Sequence, residues 1–399
     1  MRIDLENREA VDRPAEFFAR ARQDGGDVQW SDVHRAWLVL SHEGVEEGFR
    51  DWERLSSDKG SAFARVAASR SPAFAKVVEL LSGWMNFRDP PVHRRLREPV
   101  HRAFTPKAVS DLEGPVQAIV NDVMADFEGA TTDLMSDFAR IIPALVIAEI
   151  LGVDRQERSR FQRWSDDLAH LVFSMNPGTV DEGPILWATE EFSAFFEERI
   201  EKERREPTGS LLATIAQASS DELSAVELIG ACTLLLFGGH ETTTILLSNA
   251  IALLLQRPGL QEWLRRHPGA DLTAVEEFVR VGGPARALPR KVVVEHERSG
   301  QRLLPGQNVY LCVAAANYDP GVFEDPGTIN LERDPNPHLG FGWGLHYCLG
   351  APLARLEARI AIRALLDRFA AIVPAEPVPE VRASAMGFGR RPLKARLRR

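Results

Sequence analysis

Gly342, Gly344, His346, Cys348 and Gly350 crowd together just ahead of an amphipathic pattern over 352–369. A thiol in that setting has four chemistries open to it. Zinc needs about four ligands, usually with paired Cys or His spacing; here only His346 is near, and the chain contains no CxxC. A disulfide lacks good candidates, because the 3 cysteines are Cys232, Cys312 and Cys348, an odd and sparse count that fits a reducing cytoplasm. A nucleophilic role stays open, since the thiol precedes a helix whose dipole favours thiolate. An iron-ligand role also stays open. The glycines remove side chains where something flat and large can lie against the backbone, and N–H donors at a helix start tune such a ligand.

Three other constellations carry chemistry. Leu234 to Thr243 reads LLLFGGHETT inside the longest apolar helical pattern. Two adjacent glycines cost a helix interior about 1 kcal/mol each. Glu241 and Thr242 are costly there if buried without partners. The alternative is a packing kink with solvated polar residues. Glu277 and Arg280 lie at i, i+3, which by itself reads as a surface ion pair. The run from Asp89 to Arg97 opens a helix with proline at its start. His93 and Arg97 share one face of it, on what is otherwise a basic solvated surface.

The elements that must position these residues are mostly helical. Apolar spacing predicts helices over 14–22, 92–104, 107–127, 137–151, 156–173, 184–204, 220–256, 258–266, 272–281 and 352–369. Strand patterns are short: 28–30, 37–40, 291–295, 309–311 and the tail. No repeat, low-complexity tract or flexible linker interrupts them. The fold class is mainly α with minor β, in a single domain over 1–399 with a long central helix.

The chain has a net charge of -9, with 44% hydrophobic and 26% charged residues. That is ordinary for a soluble protein whose core can enclose a sizeable ligand. A modestly acidic chain disfavours nucleic acid as a partner. The start carries both charge signs and no apolar segment, so no signal peptide is expected. The most apolar run, 228–239, is too short to span a bilayer. A cytoplasmic protein, a monomer without membrane attachment, is expected.

Phe341-Gly342-Trp343-Gly344-Leu345-His346-Tyr347-Cys348-Leu349-Gly350 resembles the haem-binding loop of the cytochrome P450 family in its soluble bacterial form. The resemblance extends from about residue 14 to the end, and 314–320 is similar to the segment leading into that family's meander. It implies that Cys348 is the proximal thiolate of haem b (iron protoporphyrin IX) and that His346 faces a propionate. It implies that Glu241 and Thr242 are the acid–alcohol pair beside a widened turn of the central helix. His93, Arg97 and Arg290 would hold propionates, which Arg grips bidentately. Glu277, Arg280 and Arg333 would be a structural network, not catalytic groups.

Position within such a fold suggests a substrate pocket of Phe63, Trp84, Phe87, Phe173, Met175, Leu234, Phe237, Gly238, Leu288, Met386 and Phe388, with 174–178 as a lid hinge. Arg286 departs from the family pattern. It is either a surface arginine, an extra propionate partner, or the grip for an anionic substrate group. The implied activity is insertion of one oxygen atom from O2 into a small hydrophobic or aromatic molecule, in secondary metabolism or catabolism. Electrons must come from outside, from a ferredoxin and its reductase. Arg94, Arg95, Arg97, Arg102 and Lys107 offer a basic dock for that acidic partner, or simply a solvated helix face. The alternatives are an oxidase making aryl couplings, a peroxide-driven haem enzyme, and a non-catalytic haem-binding or carrier-recognition protein.

Overall fold

Prolines and short polar side chains set the helix starts. Pro14, Pro106, Pro258 and Pro352 each sit in a first turn, where the missing N–H has no partner to lose. The computed structural model describes residues 3–127, 131–153, 157–172, 180–218, 222–389 and 391–398. Helix makes up 57% of it and strand 11%, which is a mainly α fold with minor β.

In chain order the elements that matter are α1 (Pro14–Gly25), β1 (Val28–Ser31), β2 (Ala36–Val39), α2 (His42–Arg50), β3 (Leu55–Ser56), α3 (Ala75–Ser82), α4 (Val92–Ala103), α5 (Arg158–Val172), α6 (Glu182–Arg205), α7 (Ala225–Gln256), α8 (Pro258–Arg266), α9 (Asp271–Gly282), β4 (Leu288–Val292), β5 (Asn308–Leu311) and α10 (Ala351–Arg368). The chain divides into two compact units. One holds Met1–Ser56, Val120–Ile142 and Thr242–Arg399; the other holds Ser57–Ile119 and Pro143–Glu241.

The first unit carries a five-stranded sheet in the order β1-β2-β5-β4-β3. β2 and β5 run parallel and the other pairs antiparallel. Alternation along the strands separates its two faces. Leu38, Leu40, Tyr310 and Cys312 pack with Phe17 and Phe18 of α1. Val39, Val309 and Leu311 pack with Val45 and Phe49 of α2. The expected tail strand forms as Lys394–Arg398, between Thr131–Asp133 and Ala371–Pro374.

The second unit is built on aromatic layers and one close helix contact. Trp164 of α5 meets Phe192 of α6 at 4.9 Å between ring centres, and Phe161 meets Phe195 at 5.1 Å. Gly83, which ends α3, and Gly230 of α7 let their backbones touch. A Cβ at Gly230 would lie 2.8 Å from the Gly83 Cα and 3.0 Å from the Leu80 carbonyl oxygen.

Several expectations shift. The pattern over 107–127 divides into Pro106–Ser110 and Glu113–Val123, because Pro115 offers no N–H to the Asp111 carbonyl and its ring would clash there. The strand expected over 291–295 is β4, drawn earlier by pairing of Leu288 with Leu311 and Arg290 with Val309. The short helices α2 and α3 gave too few turns for periodicity to register. No described helix is long and apolar enough to cross a membrane.

Gly230→Ala is expected to lose about 1–3 kcal/mol of stability by overpacking, read as an earlier urea midpoint. An unchanged midpoint would show that the α3–α7 contact yields freely.

Candidate active site

Cys348 sits on a turn that only glycine can make easily. Gly342 and Gly344 have φ of 72° and 65°, in the left-handed region that L side chains rarely adopt. The Cys348 N–H donates to the Phe341 carbonyl at 2.9 Å, which closes the turn. Its thiol is exposed, whereas Cys232 and Cys312 are buried and pushed up to about 12 by burial. Gly350 then leads into α10. A Cβ at Gly350 would meet no described atom within 4 Å. An accessible thiol, a glycine-lined approach and the positive end of α10 fit a planar cofactor bound through sulfur.

Behind the turn, α9 presents two adjacent carboxylates to two different networks. Glu277 and Arg280 are both fully buried and bind each other twice, at 2.8 and 2.7 Å. Arg280 also donates to the carbonyls of Asn317, Pro326 and Thr328. Glu277 also accepts from the Asn330 N–H, from Arg333 Nε at 3.2 Å and from Asn336 Nδ2. The expected trio of Glu277, Arg280 and Arg333 is therefore brought together, as a buried network and not the surface pair that spacing alone suggests. Glu276 binds Arg355 of α10 at 2.6 and 2.8 Å and His338 at 2.9 Å. Burial pushes the Glu276 carboxyl up, but these two partners outweigh it and hold it at about 2. Sequence reasoning passed over Glu276, His338 and Arg355; the doubled acid at 276–277 was the available signal.

On α7, Glu241 is buried and Thr242 half-buried. His240, not anticipated, places Nδ1 3.2 Å from a Glu241 oxygen. The chain is α-helical throughout Ala225–Gln256, unlike the widened turn expected at the glycines. The two glycines differ. A Cβ at Gly239 would lie 3.0 Å from Ile147 Cδ1, while one at Gly238 would meet no described atom within 4 Å.

Four expected pocket aromatics form one cluster in the second unit. Phe63 meets Phe87 at 5.3 Å, Trp84 stacks on Phe87 at 5.7 Å, and Phe237 meets Trp84 at 5.0 Å. Trp84 Nε1 donates to Thr233 Oγ1 at 2.9 Å, which satisfies the indole without water. Leu234 is half-buried on the same helix. Phe173, Met175 and the hinge at 174–178 lie outside the described residues.

On α4, His93 is buried; burial and then the nearby Arg97 push it down to about 4. Arg97 is half-buried. The basic face is less positive than its sequence. Arg95 pairs with Glu227, Arg102 with Glu222 at 2.7 Å, and Lys107 with Asp111 at 2.7 Å. In the first unit, Leu288, Arg290 and His346 are half-buried, and Arg290 lies 5.6 Å from the Phe49 ring centre.

Arg286 corrects its expectation. It is neither on the surface nor directed to a substrate anion: 3% exposed, it donates to the carbonyls of Leu5 at 2.6 Å, Ser384 at 2.8 Å and Ala10 at 3.2 Å. Burial lowers it to about 10. Phe388 lies 5.4 Å over the guanidinium, and the Met386 carbonyl accepts the Arg286 N–H. This trio staples the N-terminal segment to the C-terminal loop.

The cytochrome P450 family model matches residues 68–267 and 273–399. The mycinamicin IV hydroxylase/epoxidase of Micromonospora griseorubida is 34% identical over 365 residues, covering 90% of this chain and 88% of that one. The solved structure of the Bacillus subtilis bacillaene polyketide synthase cytochrome P450 PksS matches with a TM-score of 0.86 at 29% identity, over 100% of both chains. That of CxnD, a cytochrome P450 for C–S bond formation in chuangxinmycin biosynthesis, matches with a TM-score of 0.85 at 32% identity, over 98% of this chain and 95% of that one.

Arg286→Leu is expected to cost on the order of 3 kcal/mol, because buried carbonyls lose their donors. The melting temperature should fall while the affinity of the folded protein for small ligands stays unchanged. Weakened ligand binding at an unaltered melting temperature would restore the substrate role.

Proposed function

The chain belongs to the cytochrome P450 family, and we propose that this monooxygenase inserts one oxygen atom from O2 into a small hydrophobic or aromatic molecule, using a haem held by Cys348. The observation that carries the reading is the Cys348 turn: an accessible thiol on a glycine-built loop at the head of α10. Bound haem b supplies an iron centre that takes up electrons and activates oxygen.

The remaining roles belong to the chain. Cys348 would give its thiolate to the iron, favoured by the helix dipole. His93, Arg97, Arg290 and His346 would hold the propionates as cationic or N–H donors. A His93 kept neutral by burial would gain a proton, or donate its N–H, when a carboxylate is bound. Thr242 would orient a proton at its hydroxyl. Glu241, with His240 beside it, would pass protons to that hydroxyl. The cluster of Phe63, Trp84, Phe87 and Phe237 would give an apolar or aromatic substrate a dry wall to rest on, with Gly238 leaving room at its edge. Leu234 and Leu288 are proposed neighbours of that pocket.

Ferredoxin and a ferredoxin reductase are the proposed electron donors. Arg94 and the other exposed cations of α4 would make the contact, in spite of the ion pairs that neutralise Arg95, Arg102 and Lys107. A soluble cytoplasmic monomer acting in secondary metabolism or catabolism is the proposed setting, in keeping with the mycinamicin and polyketide synthase names of its relatives. One observation favours a second reading. The likeness to CxnD supports an oxidase that forms a new bond between two substrate atoms with the same residues. A product that gains no oxygen separates the two.

With a surrogate ferredoxin and reductase, product should require both O2 and NAD(P)H. The reduced protein under carbon monoxide should show the red-shifted absorption of a sulfur-ligated haem; its absence would refute the reading. Thr242→Val is expected to cut product per NAD(P)H by about tenfold, with electrons diverted to hydrogen peroxide. Unchanged coupling would remove Thr242 from proton delivery.

A further inference from the structure

We propose that Arg355, gripped by Glu276, is a positioning residue for the cysteine ligand: it clamps both ends of the 341–348 turn and holds Cys348 at the geometry sulfur ligation needs. This rests on the reading of Cys348 as the haem thiolate. Neighbouring residues on a helix point about 100° apart, so α9 can hold one carboxylate toward the 326–336 segment and the next toward α10. Glu277 serves the first and Glu276 the second.

The clamp is geometric. Glu276 takes Arg355 Nε and Nη2 together, at 2.6 and 2.8 Å, which fixes the plane of the guanidinium. The remaining nitrogen, Nη1, donates to Tyr347 Oη at 3.2 Å. Tyr347 is the residue before Cys348. The same guanidinium lies 4.4 Å from the centre of the Phe341 ring, a cation–π distance. Phe341 is the residue whose carbonyl receives the Cys348 N–H. One planar group therefore touches the first residue of the turn and the residue next to the sulfur. His338 adds a third point, with Nε2 2.9 Å from Glu276 and its ring 5.8 Å from Phe341. The pair is only partly solvated, with 29% and 24% of the two side chains exposed, so water does not readily replace these bonds.

A lysine cannot reproduce this. Its single ammonium lacks the planar fork that binds Glu276 twice while reaching Tyr347 and covering the Phe341 ring. Charge alone is not the proposed function; the fork is.

Arg363 supplies an internal control. It lies on the same helix and joins α10 to α9 through Asp271, with Nε at 2.9 Å and a second bond from Nη2. Among the described residues its bonds go to Asp271, Asp367 and the Leu264 carbonyl, none of them in the turn. Removing it loosens the same helix pair without touching Tyr347 or Phe341.

The test uses the haem-loaded protein. Arg355→Met, Arg355→Lys, Tyr347→Phe and Arg363→Met are compared with wild type for melting temperature and for the reduced carbon monoxide spectrum. The fraction of haem that has lost the thiolate-type band is expected to rise about tenfold in Arg355→Met and Arg355→Lys, as for other outer partners of a metal ligand. Tyr347→Phe should shift it the same way by less. Arg363→Met should lower the melting temperature and leave the band intact. Should Arg355→Met fail to accumulate, Tyr347→Phe, which removes one hydroxyl, decides alone. The proposal is overturned if Arg355→Lys keeps the wild-type band, if Arg363→Met displaces it equally, or if Tyr347→Phe does nothing. A wild-type protein without a thiolate band would instead refute the reading of Cys348 itself.

Discussion

A carboxylate and a guanidinium with no solvent exposure organise the first unit. Burying each charge of Glu277 and Arg280 costs several kcal/mol, which their mutual attraction offsets only if every other donor and acceptor is also met. They are met. The five N–H groups of Arg280 reach Glu277 twice and the carbonyls of Asn317, Pro326 and Thr328. Tyr318 and Phe323 lie on it at 5.3 Å each. The chain from 317 to 336 has no long regular element of its own. Its path is set by having to deliver these carbonyls, and by the grip of Glu277 on Asn330, Arg333 and Asn336. The cysteine turn begins where that path ends.

The same physics explains Arg286, at a different place and with a different outcome. Its hydrogen bonds go to backbone carbonyls, and Glu6 and Asp4 act on it only at a distance, so desolvation outweighs them and its affinity for a proton falls. Arg280 beside Glu277 is an ion pair that shapes a loop. Arg286 without one is a staple, tolerable because carbonyl dipoles and the face of Phe388 replace water.

How much of this was legible in the residues depends on how far apart the partners stand. The long helices α6, α7 and α10 announced themselves because many turns repeat one apolar face. The cysteine turn was legible because left-handed backbone at Gly342 and Gly344 leaves a residue-type signature. Arg286 left none: its acceptors are carbonyls, which every residue has, and Leu5 is 281 positions away. Glu276 and Arg355 are 79 positions apart; a doubled acid marks one end and nothing in the spacing names the other. α2 and α3 were missed because two or three turns do not establish a period. The break at Pro115 was written in the sequence and needed only the rule that proline cannot continue a helix whose Asp111 carbonyl it would strike.

The glycine pair of α7 is the place where local propensity and tertiary demand conflict. Gly238 and Gly239 each weaken the helix by about 1 kcal/mol relative to alanine, yet α7 runs through them unbroken. Packing accounts for one of them: at Gly239 a methyl would press on Ile147 at 3.0 Å. It does not account for the other, since a methyl at Gly238 would touch nothing described. Gly238 is thus a position kept small where no described atom demands it, one residue after the aromatic cluster and three before Glu241. Polar His240, Glu241 and Thr242 follow at once in an otherwise apolar helix, and His240 and Glu241 lie side by side. Helix stability is thus given up beside a run of polar groups, and packing among the described residues accounts for only part of that cost.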